Sequence, residues 1–148
     1  DITDADIRAL VAGTTVENVE GFHFSNLKLT SNADETITAT VTMINQEAET
    51  VDLLANGQGS VEAIFNAIDK FFNQTVRLDT FNIDAVTEGI DAQAAVNVTV
   101  ENVDTDTIFN ATGIDFDVLK AAAIAYINAN IMVQKENEAQ LARLSEKD

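Results

Sequence analysis

Residues 55–67 carry the clearest chemical signal in the sequence. Gly57 and Gly59 flank Gln58, and an amphipathic helix pattern begins directly behind them. A glycine turn that opens a helix leaves backbone N–H groups free and lets another group come close. Such a turn can hold a small anion, for example a carboxylate or a phosphate. Many turns between a strand and a helix have this pattern without a ligand, so a plain helix start is the alternative interpretation.

Nucleophilic and metal chemistry is limited by the residue types present. The chain has no cysteine, which excludes a disulfide framework and a Cys/His zinc site. His23 is the only histidine, so Ser-His-Asp or Cys-His catalysis would depend on it alone. Strand alternation turns His23 away from the phenylalanines on either side and predicts that it is exposed.

Paired carboxylates are the remaining catalytic candidates. Asp115 and Asp117 stand at a predicted helix start, where capping the free N–H groups is their expected role. Neither this pair nor Glu88 with Asp91 has the spacing of a calcium loop. The sequence has no nucleophile–base pair, phosphate-binding lysine loop or dinucleotide fingerprint. We therefore expect no catalysis by this chain alone.

The composition limits the partners of the chain. It has 25 acidic and 8 basic residues in 148, a formal net charge of −17, which repels nucleic acid and anionic membranes. Apolar residues make up 46% of the sequence, enough for one domain with a sizeable core or for two small half-domains. It has no signal peptide and no long apolar run, so we expect a cytoplasmic protein. The first residue is Asp1 rather than methionine, which suggests a piece of a longer protein with a domain upstream.

The sequence predicts two copies of one βββα pattern, and therefore an α+β fold. The predicted elements of the first unit are strands at 22–29 (irregular at 25–26), 36–44 and 50–55 and a helix at 60–73. Those of the second unit are strands at 76–85, 92–100 and 105–111 and a helix at about 115–134. An offset of 56 places Gly57 on Gly113, whereas an offset of 57 places Val41 on Val98. The two units are thus an internal repeat with pseudo-symmetry, and a one-residue slip separates their second and third strands.

The second predicted helix is apolar on most sides and rich in alanine. A helix of this kind has to be covered on more than one face. In a chain this short, a partner subunit is the expected cover, and the small side chains would let two helices or sheets come close. The sequence therefore predicts a homodimer.

Three motifs carry a resemblance to a known family. They are Gly-Gln-Gly-Ser-Val-Glu-Ala at 57–63, Gly-Ile-Asp-Ala-Gln-Ala at 89–94, and Gly-Ile-Asp-Phe-Asp at 113–117 followed by Ala-Tyr-Ile-Asn-Ala at 125–129. They are similar to the C-terminal allosteric domain of 2-isopropylmalate synthases, which citramalate synthases share. The resemblance covers about residues 21–132, and residues 3–11 resemble the linker subdomain that precedes this domain in those enzymes.

The resemblance implies a regulatory role. In that family a TIM-barrel catalytic domain uses a divalent metal to condense acetyl-CoA with a 2-oxo acid, which is 2-oxoisovalerate for isopropylmalate synthases. The catalytic and metal-binding residues of that domain have no counterpart here, so no cofactor is expected in this chain. The regulatory domain is similar to two βββα units that dimerise, and it binds the end product near the dimer interface and slows catalysis. That product is L-leucine for isopropylmalate synthase, and isoleucine sensing, as in citramalate synthase, is the alternative.

The same resemblance sets the expected domain boundaries. Residues 1–20 are expected to be a linker remnant with one short helix, and residues 21–134 the regulatory domain. Its two βββα units are expected at 21–74 and 75–134. Residues 135–148 are a charged tail, predicted to be either a solvated extension of the second helix or a frayed end.

The resemblance also implies which residues contact the amino acid. They lie at the two helix starts, on the fourth strand and at the beginning of the fifth: Gln58, Gly59, Val61, Leu78, Phe81, Ala85, Ala92, Ala94, Ile114 and Asp115. A free amino acid needs donors for its carboxylate, acceptors for its ammonium group and an apolar slot for its side chain. Two positions depart from the family, which has Gly-Asn-Gly-Pro in place of residues 57–60 and often tyrosine in place of Phe81.

Two other functions stay open. A purely structural dimerisation module that has lost its ligand would explain the departures at Gln58 and Ser60. An independent enzyme that uses carboxylates would require turnover that depends on Asp115.

Overall fold

The computed structural model of the chain describes residues 22–85 and 92–147. The predicted linker helix and the carboxylate pair at 88 and 91 lie outside these residues. Each unit has three strands and one helix. The elements of the first unit are β1 (His23–Ser31), β2 (Ile37–Ile44), β3 (Thr50–Gly57) and α1 (Ser60–Phe72). Those of the second are β4 (Val76–Ala85), β5 (Ala94–Asn102), β6 (Thr107–Asp115) and α2 (Val118–Lys147).

The strands form two separate antiparallel sheets, each in chain order. Sheet A contains β1, β2 and β3, and sheet B contains β4, β5 and β6. This confirms the predicted α+β fold of two βββα units. The irregularity predicted in β1 is a shift of register between Phe24 and Asn26, and β4 has a comparable shift between Leu78 and Thr80.

The glycines that were expected to close the third strands lie within them. Gly57 pairs with Ile37 on β2, and Gly113 pairs with Val96 on β5. β6 then continues to Asp115, so α2 begins at Val118 rather than near residue 115. At its other end α2 continues through the charged segment as far as Lys147.

The core lies between the sheets and the helices. Alternate residues of the central strands point toward it and are fully buried: Ala39, Val41 and Met43 on β2, and Val96, Val98 and Val100 on β5. We call this side the inner face of each sheet. The alternation of a strand turns the residues between them, mainly threonine and asparagine, to the outer face.

The chain itself covers α2, which corrects the expectation that a partner subunit would do so. The buried residues of α2 are Ala121, Ala122, Ala123, Ala125, Tyr126, Ile127, Asn128, Ala129, Asn130, Ile131 and Val133. The helix packs on β5 and β6, and it also contacts α1, β1 and β4. A second copy of the protein would therefore have to make contact elsewhere.

The two helices run in the same direction. The ring of Tyr126 on α2 stacks on Phe65 of α1 with centroids 4.0 Å apart. Further along both helices, the Gln74 side chain donates to the backbone oxygen of Asn130 at 2.8 Å. Their N-terminal ends therefore lie at the same end of the domain.

Candidate functional site

The glycines of the repeat are required by packing between strand and helix. A Cβ atom on Gly57 would lie 2.5 Å from the backbone nitrogen of Ala63 in α1. A Cβ atom on Gly113 would lie 2.2 Å from the backbone oxygen of Ala121 in α2. The group that approaches these glycines closely is therefore the following helix. Gly59, by contrast, has open space around its Cβ position and an extended backbone with φ of −144°.

Carboxylates of the chain occupy N–H groups at both helix starts. The Gln58 N–H donates to the carboxylate of Glu62 at 3.1 Å. The Asp117 N–H donates to Asp115 at 2.8 Å, and the Leu119 N–H donates to Asp117 at 2.8 Å. The capping role expected of both aspartates is thus present. An anionic ligand at either start would have to lie beside these charges or displace them.

A groove of about 420 Å³ lies between α1 and the beginning of β4. Its lining residues are Val61, Glu62, Phe65, Asn66, Asp69, Val76, Arg77, Leu78 and Tyr126. Two residues predicted to contact the effector, Val61 and Leu78, lie in this lining. A third, Phe81, packs edge-on against Phe65 with ring centroids 6.1 Å apart.

The charged groups of the groove differ in environment. The Tyr126 hydroxyl donates to the Asp69 carboxylate at 2.7 Å, and burial raises the pKa of Asp69 above its ordinary value. Burial, together with this carboxylate, also raises the pKa of Tyr126, so its hydroxyl stays a donor. On the other wall, Arg77 is paired with Glu101 and lies 3.6 Å from Asp79. The groove therefore combines an aliphatic and aromatic lining with one half-buried carboxylate and one paired guanidinium group.

The other predicted contact residues lie toward the end of sheet B and at the start of α1. Ala94 pairs with Ala85 on one side and with Asp115 on the other, which places all three in one row of the sheet. Ile114 lies in the preceding row, and Ala92 lies just outside β5 and is exposed. Gln58 and Gly59 lie at the start of α1 and do not line the groove. The structure thus brings only part of the predicted set into the groove.

Several groove residues were not predicted from the sequence. Phe65 was identified only as part of the apolar stripe of α1. Asp69 and Tyr126 are 57 residues apart, and Arg77 follows the turn after α1. No spacing pattern links residues of different units, so only their contacts in the fold reveal the groove. Among the candidate catalytic residues, His23 is half-buried on β1 rather than exposed.

A second polar cluster joins the hairpin of β5 and β6 to α2. The Glu136 carboxylate accepts hydrogen bonds from Asn102 at 2.8 Å, Thr105 at 2.8 Å and Thr107 at 2.6 Å. Burial alone would raise the pKa of Glu136, but these hydrogen bonds outweigh it and hold the pKa below its ordinary value. The ionised carboxylate therefore stabilises the folded protein.

We expect Glu136→Gln to reduce the acid sensitivity of the protein. Because the pKa of Glu136 is lower in the folded state, its contribution is present above the unfolded pKa and is lost as the pH falls through the folded value. Urea unfolding at several pH values between about 3 and 7 should show a shallower loss of stability in the variant. Glu138→Gln, at an exposed position of the same helix, is the control. Equal pH profiles for Glu136→Gln and the unaltered chain would contradict the prediction.

The described part of the chain shows neither a metal cluster nor a membrane span. Across residues 22–85 and 92–147, no group of three or more His, Asp or Glu side chains could hold a metal ion. Neither of the two helices in these ranges is both long and apolar enough to cross a bilayer. The fold and the groove define a class of protein: a duplicated βββα domain with a small-molecule-sized cleft beside its first helix.

The family follows from comparison with known proteins. The sequence model of the LeuA allosteric (dimerisation) domain matches residues 1–133, and the chain belongs to this family. This confirms the resemblance found in the sequence motifs.

Relatives named 2-isopropylmalate synthase are similar over almost the whole chain. One from Streptococcus gallolyticus is 69% identical over 143 residues, which is 97% of this chain and 28% of the relative. One from Lactococcus lactis subsp. lactis is 53% identical over 93% of this chain and 26% of the relative. One from Listeria monocytogenes is 36% identical over 88% of this chain and 25% of the relative. The chain thus spans about a quarter of the length of the curated relatives it matches.

Proposed function

We propose that this chain is the feedback-regulatory domain of a cytoplasmic 2-isopropylmalate synthase. In this proposal it forms a homodimer and binds L-leucine. Binding slows the condensation of acetyl-CoA with 2-oxoisovalerate in an upstream TIM-barrel domain that holds the divalent metal. Family membership and the names of the relatives support the regulatory assignment. The observation that carries ligand binding is the groove between α1 and β4, which contains Val61 and Leu78.

The chemistry of the groove suits an aliphatic amino acid. Val61, Val76 and Leu78 offer apolar surface to a branched side chain, and the charged groups along the walls suit a zwitterion. Discrimination between leucine and isoleucine would depend on the shape of the apolar part, a difference of about 1–3 kcal/mol for such pockets. Isoleucine sensing, as in citramalate synthase, is therefore tested beside leucine.

A dimerisation module without a ligand is the second candidate. The observation that favours it is the capping of both helix starts by Glu62, Asp115 and Asp117. These carboxylates take up N–H groups that could otherwise hold the carboxylate of an amino acid. Such a module would dimerise and show no response to amino acids.

We expect L-leucine to raise the thermal unfolding temperature of the chain. A ligand at a hundred times its dissociation constant stabilises the folded state by about 2.7 kcal/mol. The measurement is a thermal-shift series with L-leucine, L-isoleucine, L-valine and, as a stereochemical control, D-leucine. Leu78→Trp should remove the response because the larger side chain fills the groove. Leu54→Trp, at an exposed position on sheet A, should preserve it. The absence of a shift with all three L-amino acids would contradict the sensing role and favour the ligand-free module.

A further inference from the structure

The inner face of β4 carries an apolar stripe that the chain leaves partly open. The stripe consists of Leu78, Phe81 and Ile83. Their partners across the sheet are three fully buried valines of β5: Val100, Val98 and Val96. Directly paired residues of antiparallel strands point to the same face, so the stripe lies on the core side of sheet B. Nevertheless Leu78 is 40% exposed and Ile83 is 57% exposed.

The internal repeat shows why this stripe lacks a cover. In sheet A, the corresponding edge strand is β1, whose residues Phe24, Leu27 and Leu29 pack against the core, and α2 contacts this strand. The helix that would cover β4 in the same way is α1, which has 13 residues where α2 has 30. α1 reaches the stripe through the ring contact between Phe65 and Phe81. Ile83, two residues before the end of β4, stays exposed.

We infer that a second copy of this chain covers the β4 stripe. The inference rests on the homodimer in the proposed function and names the surface that forms it. The family is described as a dimerisation domain, and the chain already buries α2, the surface that the sequence had suggested for the contact. The stripe is the remaining face of a sheet whose apolar side chains are aligned and exposed.

Charge also favours the stripe over the rest of the surface. Each copy carries a formal net charge of −17, so two copies repel each other wherever acidic side chains meet. An apolar stripe lets two identical surfaces approach around a twofold axis without pairing like charges. Other exposed apolar side chains, such as Leu54 on sheet A and Leu141 on α2, lie on separate elements. Because Leu78 belongs to both the stripe and the groove, the second copy would also border the groove.

The test is sedimentation equilibrium on the 148-residue chain with Ile83→Asp. We expect this variant to raise the dimer dissociation constant at least ~30-fold, the effect of losing an interface hot spot. Leu54→Asp is the matched control, since it introduces the same charge at a similarly exposed aliphatic position on a strand, 52% against 57%. It should change the constant by less than about 3-fold, as a substitution outside the interface does. Ile83→Ser, which adds no charge, is expected to weaken the dimer in the same direction, and urea unfolding shows that each variant is folded.

The outcomes separate the surface from the homodimer itself. If Ile83→Asp and Ile83→Ser dimerise as the unaltered chain does, the β4 stripe is not the interface, although the homodimer stands. If Leu54→Asp weakens the dimer as much as Ile83→Asp, added charge rather than the stripe explains the loss, and the inference is overturned. A chain that stays monomeric at every concentration would overturn both the homodimer and the surface assigned to it.

Discussion

Phe65→Ala is expected to lower the free energy of unfolding by about 3–5 kcal/mol, the usual cost of removing a buried aromatic ring. Phe65 is 6% exposed and joins three elements of the fold. Its ring stacks on Tyr126 of α2 at 4.0 Å and meets the edge of Phe81 of β4 at 6.1 Å. Removing it leaves a cavity exactly where the two units meet, so urea unfolding should report a loss across the whole domain.

Phe116→Ala is the matched control for this prediction. Phe116 lies in the turn between β6 and α2 and is 66% exposed. Removing an exposed ring leaves no cavity, so we expect a change within about 0.5 kcal/mol. If the two variants lost the same stability, the contact between Phe65 and Tyr126 would not be the link between the units that the structure shows.

Gly113→Ala is expected to destabilise the domain by about 3 kcal/mol, at the upper end of the usual cost of overpacking a core. The added Cβ atom would lie 2.2 Å from the backbone oxygen of Ala121 and 2.4 Å from the backbone nitrogen of Ala125. Backbone atoms of a helix cannot turn aside as a flexible side chain can, so α2 would have to move away from β6. Gly57→Ala should have the same effect in the first unit, where the Cβ atom would lie 2.5 Å from the nitrogen of Ala63.

Gly59→Ala distinguishes packing from ligand approach in the glycine turn. No atom lies within 4 Å of its Cβ position, and its φ of −144° suits any residue. We therefore expect a change of less than about 1 kcal/mol in urea unfolding, the scale of exchanging one uncharged helix cap for another. If Gly57→Ala were equally mild and instead removed the response to leucine, Gly57 would serve the ligand rather than the helix.

Much of the fold could be predicted because each unit is encoded by local periodicity. The alternation in β2 and β5 predicted which face of each strand is buried, and the offset between Val41 and Val98 revealed the repeat. The one-residue slip has a structural counterpart, since residues 45–49 join β2 to β3 and residues 103–106 join β5 to β6. A shorter turn leaves the pairing of the strands unchanged, so the repeat survives the deletion.

The cover of α2 could not be predicted in the same way. Its apolar residues correctly indicated burial on several sides, but the pattern does not say which element provides the cover. The hydrogen bond between Tyr126 and Asp69 joins residues 57 apart in sequence. Contacts of this kind follow from how the two units pack, and no spacing within either unit encodes them.

The sequence alone determined the two βββα units, the buried faces of their central strands and the family to which the chain belongs. It also determined that the glycine turns are special positions, since the repeat places Gly57 and Gly113 at the same point of each unit. Only the tertiary structure decided what these glycines face, which is the backbone of the next helix. It likewise decided that a groove opens beside α1, because the short helix leaves part of β4 uncovered. The reason is physical: periodicity reports which side of an element is buried, whereas a cleft depends on the lengths and packing of elements distant in sequence.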